Sequence, residues 1–217
     1  MITKPMDPER ARWINSGLPQ RLRGRTLEDL LATWDMSPQL AAAYAFLTGL
    51  PDQQRRDPQG IPLSRSGYGR GLLLAGLPGT GKTSIAAAVA CSVRHTGKGI
   101  FFTRFEDYLT ARRTLFDEAV DDHGLSRAHN VLDRTETAFF SVIDDVGHEH
   151  RTDSRFAQDC LSQLLRSRYD TGRPTAITTN LSDDQWAQVY TSPLRSFMSQ
   201  ATRKIHFGGT DFREESA

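Results

Sequence analysis

The amino-acid sequence predicts an α/β fold of three layers, a five-stranded parallel sheet covered by helices on both faces, with little or no C-terminal lid. Three observations lead there. Short apolar runs alternate with helical patterns along most of the chain, the mark of a parallel sheet with ligands at the carboxyl ends of its strands. The first run, Leu72 to Ala75, opens into Gly76-Leu77-Pro78-Gly79-Thr80-Gly81-Lys82-Thr83, which fits G-x-x-x-x-G-K-[ST]. A later run, Phe139 to Ile143, ends on the carboxylates Asp144 and Asp145.

Taken in order, residues 1–25 read as a leader rich in arginine, proline and polar side chains, and residues 26–217 as the main domain. Leu40, Ala43, Tyr44, Leu47 and Leu50 recur at helical spacing and predict a helix that stops before Pro51. Pro51 to Arg70 carries several prolines and glycines and little periodicity, so it is expected to be a loop. Strands are predicted over Gly71–Ala75, Gly99–Thr103, Ala138–Ile143, Thr175–Thr179 and Lys204–Phe207. Ile85, Ala86, Val89, Ala90 and Val93 place a helix directly after Thr83. The stretch after Asn180 is expected to supply a helix and the last strand without a full helical lid, and with only a short leader before Ser16 a separate partner-binding domain is expected to be missing or reduced to one helix.

The chain has 217 residues, enough for one α/β domain with its own core. Its 27 basic and 26 acidic residues give a net charge of +1, so any nucleic-acid contact has to come from a local patch. Cys91 and Cys160 lie in helical patterns without metal spacing, which predicts buried thiols in a reducing compartment. No charged-then-apolar leader and no apolar run of spanning length is present, and the chain reads as cytoplasmic, without a membrane role.

The glycine-rich loop places a nucleoside triphosphate, with ATP and Mg²⁺ the expected ligands. Glycines let successive backbone N–H groups turn inward around phosphate oxygens, and the next helix adds its positive N-terminal end. Gly76, Pro78, Gly79, Thr80, Gly81, Lys82, Thr83 and Ser84 are the expected binding residues. Lys82 reaches the β- and γ-phosphates, and the Thr83 hydroxyl holds Mg²⁺ together with Asp144. Asp145 is the candidate to orient or deprotonate the attacking water, because in-line phosphoryl transfer depends on positioning and charge neutralisation. Asn180, at the end of the strand Thr175–Thr179, is placed to bind that water or the γ-phosphate; an ordinary strand-to-turn asparagine is its bland alternative.

With these motifs the chain resembles the AAA+ ATPases of the DnaC/IstB type, bacterial and phage helicase loaders and the ATP-binding helpers of insertion-sequence transposition. The likeness runs from about Ser16 to Arg213. It rests on Ser16-Gly17-Leu18-Pro19-Gln20-Arg21, on Gly71 to Gly76 leading into the phosphate loop, and on Val142-Ile143-Asp144-Asp145-Val146-Gly147. Arg168-Tyr169, Arg173-Pro174-Thr175, Thr178-Thr179-Asn180-Leu181 and Gly209-Thr210-Asp211-Phe212-Arg213 complete it. The resemblance implies an ATP-driven homo-oligomer that binds single-stranded DNA and acts on a replicative helicase or, alternatively, on a transposase. A nucleotide-switched DNA-binding adaptor with little turnover is a third reading. It further implies an arginine finger, for which Arg195 is the first choice and Arg168 and Arg203 are rivals, and a nucleotide-sensing Arg213.

Residues 105–116 raise a question about DNA. On a helical projection Phe105, Tyr108, Leu109, Arg112 and Phe116 share one face, with Arg113 at its margin. Such a stripe suits base stacking with phosphate neutralisation, or equally a core face with Arg112 snorkelling at its edge; the resemblance favours DNA. His148 and His150 lack further ligands at metal spacing and read against a zinc site. Arg21, Arg23 and Arg25 read first as a solvated basic segment.

Overall fold

A computed structural model describes residues 13–32, 37–53, 69–147 and 154–208. The helices are α1 (Leu27–Leu31), α2 (Ser37–Gln53), α3 (Lys82–His95), α4 (Phe105–Thr114), α5 (Asp122–Thr137), α6 (Ser154–Asp170), α7 (Asp183–Val189) and α8 (Ser192–Ala201). The strands are β1 (Gly71–Gly76), β2 (Ile100–Arg104), β3 (Phe140–Asp144), β4 (Thr175–Thr179) and β5 (Thr202–Phe207). They form one sheet in the order β2-β3-β4-β1-β5, with every pair parallel. The five predicted strands are therefore all present. β3 starts at Phe140 instead of Ala138, because the Ala138 N–H still closes the last turn of α5 on the Arg134 carbonyl. β5 starts at Thr202, paired with Gly71.

Alternation along β1 sends Leu72 and Leu74 to one face and Leu73 to the other, and both faces are buried. On the first face α1, α2 and α3 pack around Leu72, Leu74, Phe102, Val142 and Ala176. In α3 every residue from Ile85 to Cys91 is at most 1% exposed, so this helix lies sandwiched between the sheet and α1–α2. Its small side chains, Ala86 to Ala88 and Ala90, permit that close approach. The second face carries α4, α5, α6 and α8 around Leu73, Ile143 and Ile177.

The lead-in segment is part of this architecture. The Ser16 carbonyl accepts the Phe102 N–H at 2.8 Å, which covers part of the free edge of β2. Gly17 has φ +72°, and a Cβ there would come within 2.1 Å of the Phe102 carbonyl oxygen. Leu18 and Leu22 then enter the same core as Leu27 and Leu30. The helix predicted to end before Pro51 instead continues through it to Gln53. So near the C-terminus proline forfeits a single backbone bond, which the last turn tolerates. Among the described residues no helix is long and apolar enough to cross a membrane.

Candidate nucleotide site

The sheet brings three strand ends to one crevice. β1 runs into the loop Leu77 to Gly81, where Gly79 and Gly81 take φ +77° and +85°, a left-handed conformation that glycine adopts without penalty. Helix α3 begins at once at Lys82, and no side chain caps its first turn. Its leading N–H groups therefore face the hollow of the loop, where phosphate oxygens would satisfy them. Lys82 is 5% exposed, and its ammonium donates to the Leu77 carbonyl at 2.5 Å, folded over its own loop. Thr80 Oγ1 donates to the same carbonyl at 2.8 Å.

β3 delivers Asp144 beside the start of α3. Thr83 Oγ1 donates to Asp144 Oδ1 at 2.8 Å, and Thr178 Oγ1 from β4 donates to the same oxygen at 2.7 Å. Burial pushes the Asp144 carboxyl above the usual carboxylate range, the two hydroxyls pull it back, Asp145 raises it and Arg104 lowers it. A carboxylate held against a hydroxyl at the mouth of a phosphate loop is a hard, oxygen-only donor set that fits Mg²⁺. Asp145 is exposed, with φ +61°, and Asn180 Nδ2 donates to its Oδ1 at 2.8 Å. Lys82, Thr83, Asp144, Asp145 and Asn180 are thus brought together.

Two residues of the crevice are given no role by motif reading. Thr178 touches both acids, and Arg104, in register with Asp144 at the end of β2, adds positive charge. Strand-end position was the available signal for both.

The arginines separate. Arg168 is fully buried and makes five hydrogen bonds: to Thr175 Oγ1 and to the carbonyls of Thr135, Glu136, Ala138 and Pro174. Its role as a finger is corrected on that ground, since a guanidinium engaged inside the core cannot reach a neighbouring molecule. Arg195 is half-buried on α8, and its buried Nε has no hydrogen-bond partner among the described residues. It lines a cavity of about 470 Å³ with Arg70, Asp183, Arg203 and Lys204, which reaches Ala75 and Thr179 near the ends of β1 and β4 but includes none of residues 76–84. Arg213 lies outside the described residues, as do His148 and His150.

The expected DNA face is also corrected. Phe105 and Tyr108 are each 1% exposed, pack against one another with ring centroids 6.4 Å apart, and belong to the second core, so neither can stack on a base. The Tyr108 hydroxyl donates to Glu136 Oε1 at 3.3 Å. A helix directly after β2 must bury one face against the sheet, and the aromatic stripe is that face. Arg112 sits at the margin and donates to Gln163 Oε1 at 3.2 Å. Arg113 is exposed, its guanidinium 5.4 Å from the Phe156 ring centroid, and Phe116 is 77% exposed. Cys91 and Cys160 are buried, reduced thiols, pushed up by burial. Among the described residues no group of His, Cys, Asp and Glu side chains could hold a metal ion as a cluster of three or more.

Sheet order, phosphate loop and acidic strand end together define a phosphate-loop ATPase fold of the AAA+ type. The model of the IstB-like ATP binding protein family matches residues 39–201, and the chain belongs to that family. It is 26% identical to the replicative helicase loader DnaC of Escherichia coli K12 over 117 residues, 54% of this chain and 45% of that one. It is 28% identical over 187 residues to y4iQ/y4nD/y4sD of Sinorhizobium fredii, named as an insertion sequence ATP-binding protein; this covers 84% of the chain and 53% of the relative. The chain thus spans about half the length of these relatives. The crystal structure of the DnaC helicase loader superposes with TM-score 0.64 at 20% identity, over 88% of this chain and 100% of that one. AMPPCP-bound DnaA from Aquifex aeolicus superposes with TM-score 0.58 at 15% identity, over 88% and 52%. At these identities the likeness concerns the fold.

Proposed function

We propose that the protein is a Mg²⁺-dependent ATPase that works as a homo-oligomer on single-stranded DNA and loads a replicative helicase. The observation that carries the ATPase reading is the 2.8 Å contact of Thr83 with Asp144, which joins the phosphate-loop helix to the acidic strand end. Mg²⁺, when bound there by Thr83 and Asp144, supplies charge neutralisation at the β- and γ-phosphate oxygens. Lys82 leaves the Leu77 carbonyl and meets the same phosphates, while the N–H groups of residues 79–84 surround them. Asp145, tied to Asn180, holds a water in line and accepts its proton as the water oxygen bonds to the γ-phosphorus and ADP departs with the bridging oxygen.

Arg195 lines a cavity that includes none of residues 76–84, and as a finger it is assigned to the site of a neighbouring copy. Arg213 is retained as the nucleotide-sensing residue. For DNA, exposure leaves Arg113, Phe116 and the edge of Arg112 to make the contact. A second reading, helper to a transposase, is favoured by the insertion-sequence relative, whose match covers 84% of the chain.

The test measures ATP turnover with and without Mg²⁺ and single-stranded DNA, followed by capture of purified helicase and transposase candidates in ATP and ADP. Turnover and ATP-dependent capture of helicase support the loader; capture of transposase alone moves the protein to the second reading. Binding without turnover leaves the nucleotide-switched adaptor.

A further inference from the structure

Asp145 is the only non-glycine residue with positive φ among the described residues, at +61°. An aspartate in the left-handed region costs of order 1 kcal/mol and persists only where neighbours hold it. Those neighbours are consecutive residues of β4 and its exit. Thr178 Oγ1 accepts the Asp145 N–H at 2.9 Å and donates its own proton to Asp144 Oδ1 at 2.7 Å. The Thr178 carbonyl accepts the Val146 N–H at 2.9 Å, and Thr179 Oγ1 donates to the Val146 carbonyl at 2.7 Å. Asn180 closes the set on the Asp145 carboxylate at 2.8 Å. Thr178 itself is 2% exposed, out of competition with water.

We infer that Thr178 is a positioning residue: its hydroxyl locks the left-handed turn at Asp145 and orients the Asp144 carboxylate, so that both acids of the crevice are aimed by one side chain. The inference rests on the ATPase reading for its consequence and on geometry alone for the latch. A hydroxyl is required because the atom must accept from one neighbour and donate to the other at once. Valine has the same shape and can do neither.

Thr178→Val should lower kcat about tenfold or more, with the KM for ATP within about twofold, because binding survives while the aim of the acid is lost. Thr178→Ser should restore turnover to within about threefold of the parent, having kept the hydroxyl. In an Asp145→Asn background Thr178→Val should cost clearly less than in the parent, the remainder reporting its hold on Asp144; two effects that multiply in full would overturn the latch on Asp145. Parent-like kcat in Thr178→Val overturns the inference, and Thr178→Ala carries the same expectations if the valine variant does not fold. Amide hydrogen exchange in the nucleotide-free protein keeps the two readings apart. Loss of the hydroxyl should speed exchange at Asp145 and Val146 about tenfold against the rest of β3, with serine close to the parent. Unchanged exchange removes the latch, whereas fast exchange in a protein whose parent does not turn over removes the ATPase reading alone.

Discussion

Arg168 at the end of α6 and Arg195 on α8 belong to helices packed on the same face of the sheet, and their guanidinium groups are treated oppositely. Arg168 is sealed in, and five acceptors from the end of α5, the turn before β3 and the start of β4 surround it. Burial, with Arg173 nearby, pushes its pKa down, and Glu136 pulls it back. Arg195 keeps a buried Nε without a partner and faces a cavity edged by other cations. A satisfied buried cation joins pieces of one chain; a half-buried one at a cavity edge is placed to meet an acceptor that enters the cavity.

The comparison breaks first at Arg168. Arg168→Met roughly keeps the volume. The carbonyls of Thr135, Glu136 and Pro174 retain Ser141 Oγ, Arg173 and the Ser141 N–H, but the Ala138 carbonyl and Thr175 Oγ1 lose their guanidinium partner. At about 1–3 kcal/mol for each buried group left unpaired, a loss of a few kcal/mol is expected. Denaturant unfolding measures it, and a variant as stable as the parent would show that water replaces the guanidinium. Arg195→Ala should leave unfolding within about 1 kcal/mol of the parent, since the side chain is half-buried at a cavity edge and its Nε has no partner among the described residues to lose.

Turnover reverses the ranking. Lys82→Ala and Arg195→Ala should each lower kcat about 10²-fold or more, by removing charge that meets the phosphates as negative charge spreads over them. Only Arg195→Ala should regain activity on mixing with Asp145→Asn, because a finger acting between copies lets one sound site form from two defective chains. If the Lys82 and Arg195 variants both stay dead in such mixtures while Arg203→Ala recovers, the finger is Arg203, on the same cavity edge.

Asp144 offers a smaller and opposite effect. Burial raises its pKa, so its ionised form costs folding stability at every pH above that raised value. Asp144→Asn removes the charge while its amide oxygen still accepts from Thr83 and Thr178. The nucleotide-free variant should therefore melt higher than the parent. The gap should shrink as pH falls through the raised value and close below the ordinary carboxylate range; a gap that widens there contradicts the assignment. Addition of Mg²⁺ and ATP should stabilise the parent more than the variant.

How far the sequence carries the reader depends on whether a signal is local. The phosphate loop and the acidic strand end are contiguous strings whose chemistry follows from spacing, and the alternation of apolar runs places all five strands. Arg168 could not be read, because three of its five acceptors, on Thr135, Glu136 and Ala138, lie 30 or more residues away in the chain, and a buried guanidinium looks like any other arginine in sequence. The aromatic stripe of α4 misled for a related reason. Phe105 and Tyr108 carry the composition of a stacking surface and the periodicity of a core face, and only the packing of α4 against α5 and α6 tells which. Thr178 was hidden within a strand pattern, its bonds to Asp144 and Asp145 set by strand order.

That correction yields the last and smallest effect. If single-stranded DNA meets this face, the exposed Arg113 and Phe116 carry the contact and the buried Tyr108 does not. Arg113→Ala should weaken binding with a flatter dependence on salt, the log–log slope changing by about 0.7 for one lost phosphate contact. Phe116→Ala should cost about 1–3 kcal/mol if a base stacks on it, with the salt slope retained. Tyr108→Phe, which removes only the hydroxyl that reaches Glu136, should leave DNA affinity unchanged and lower stability slightly. Titrations with an ATP analogue at several salt concentrations separate these outcomes. Loss of affinity in Tyr108→Phe with parent-like behaviour in the other two would mean that α4 opens to expose its core face on DNA, and the corrected placement would itself need revision.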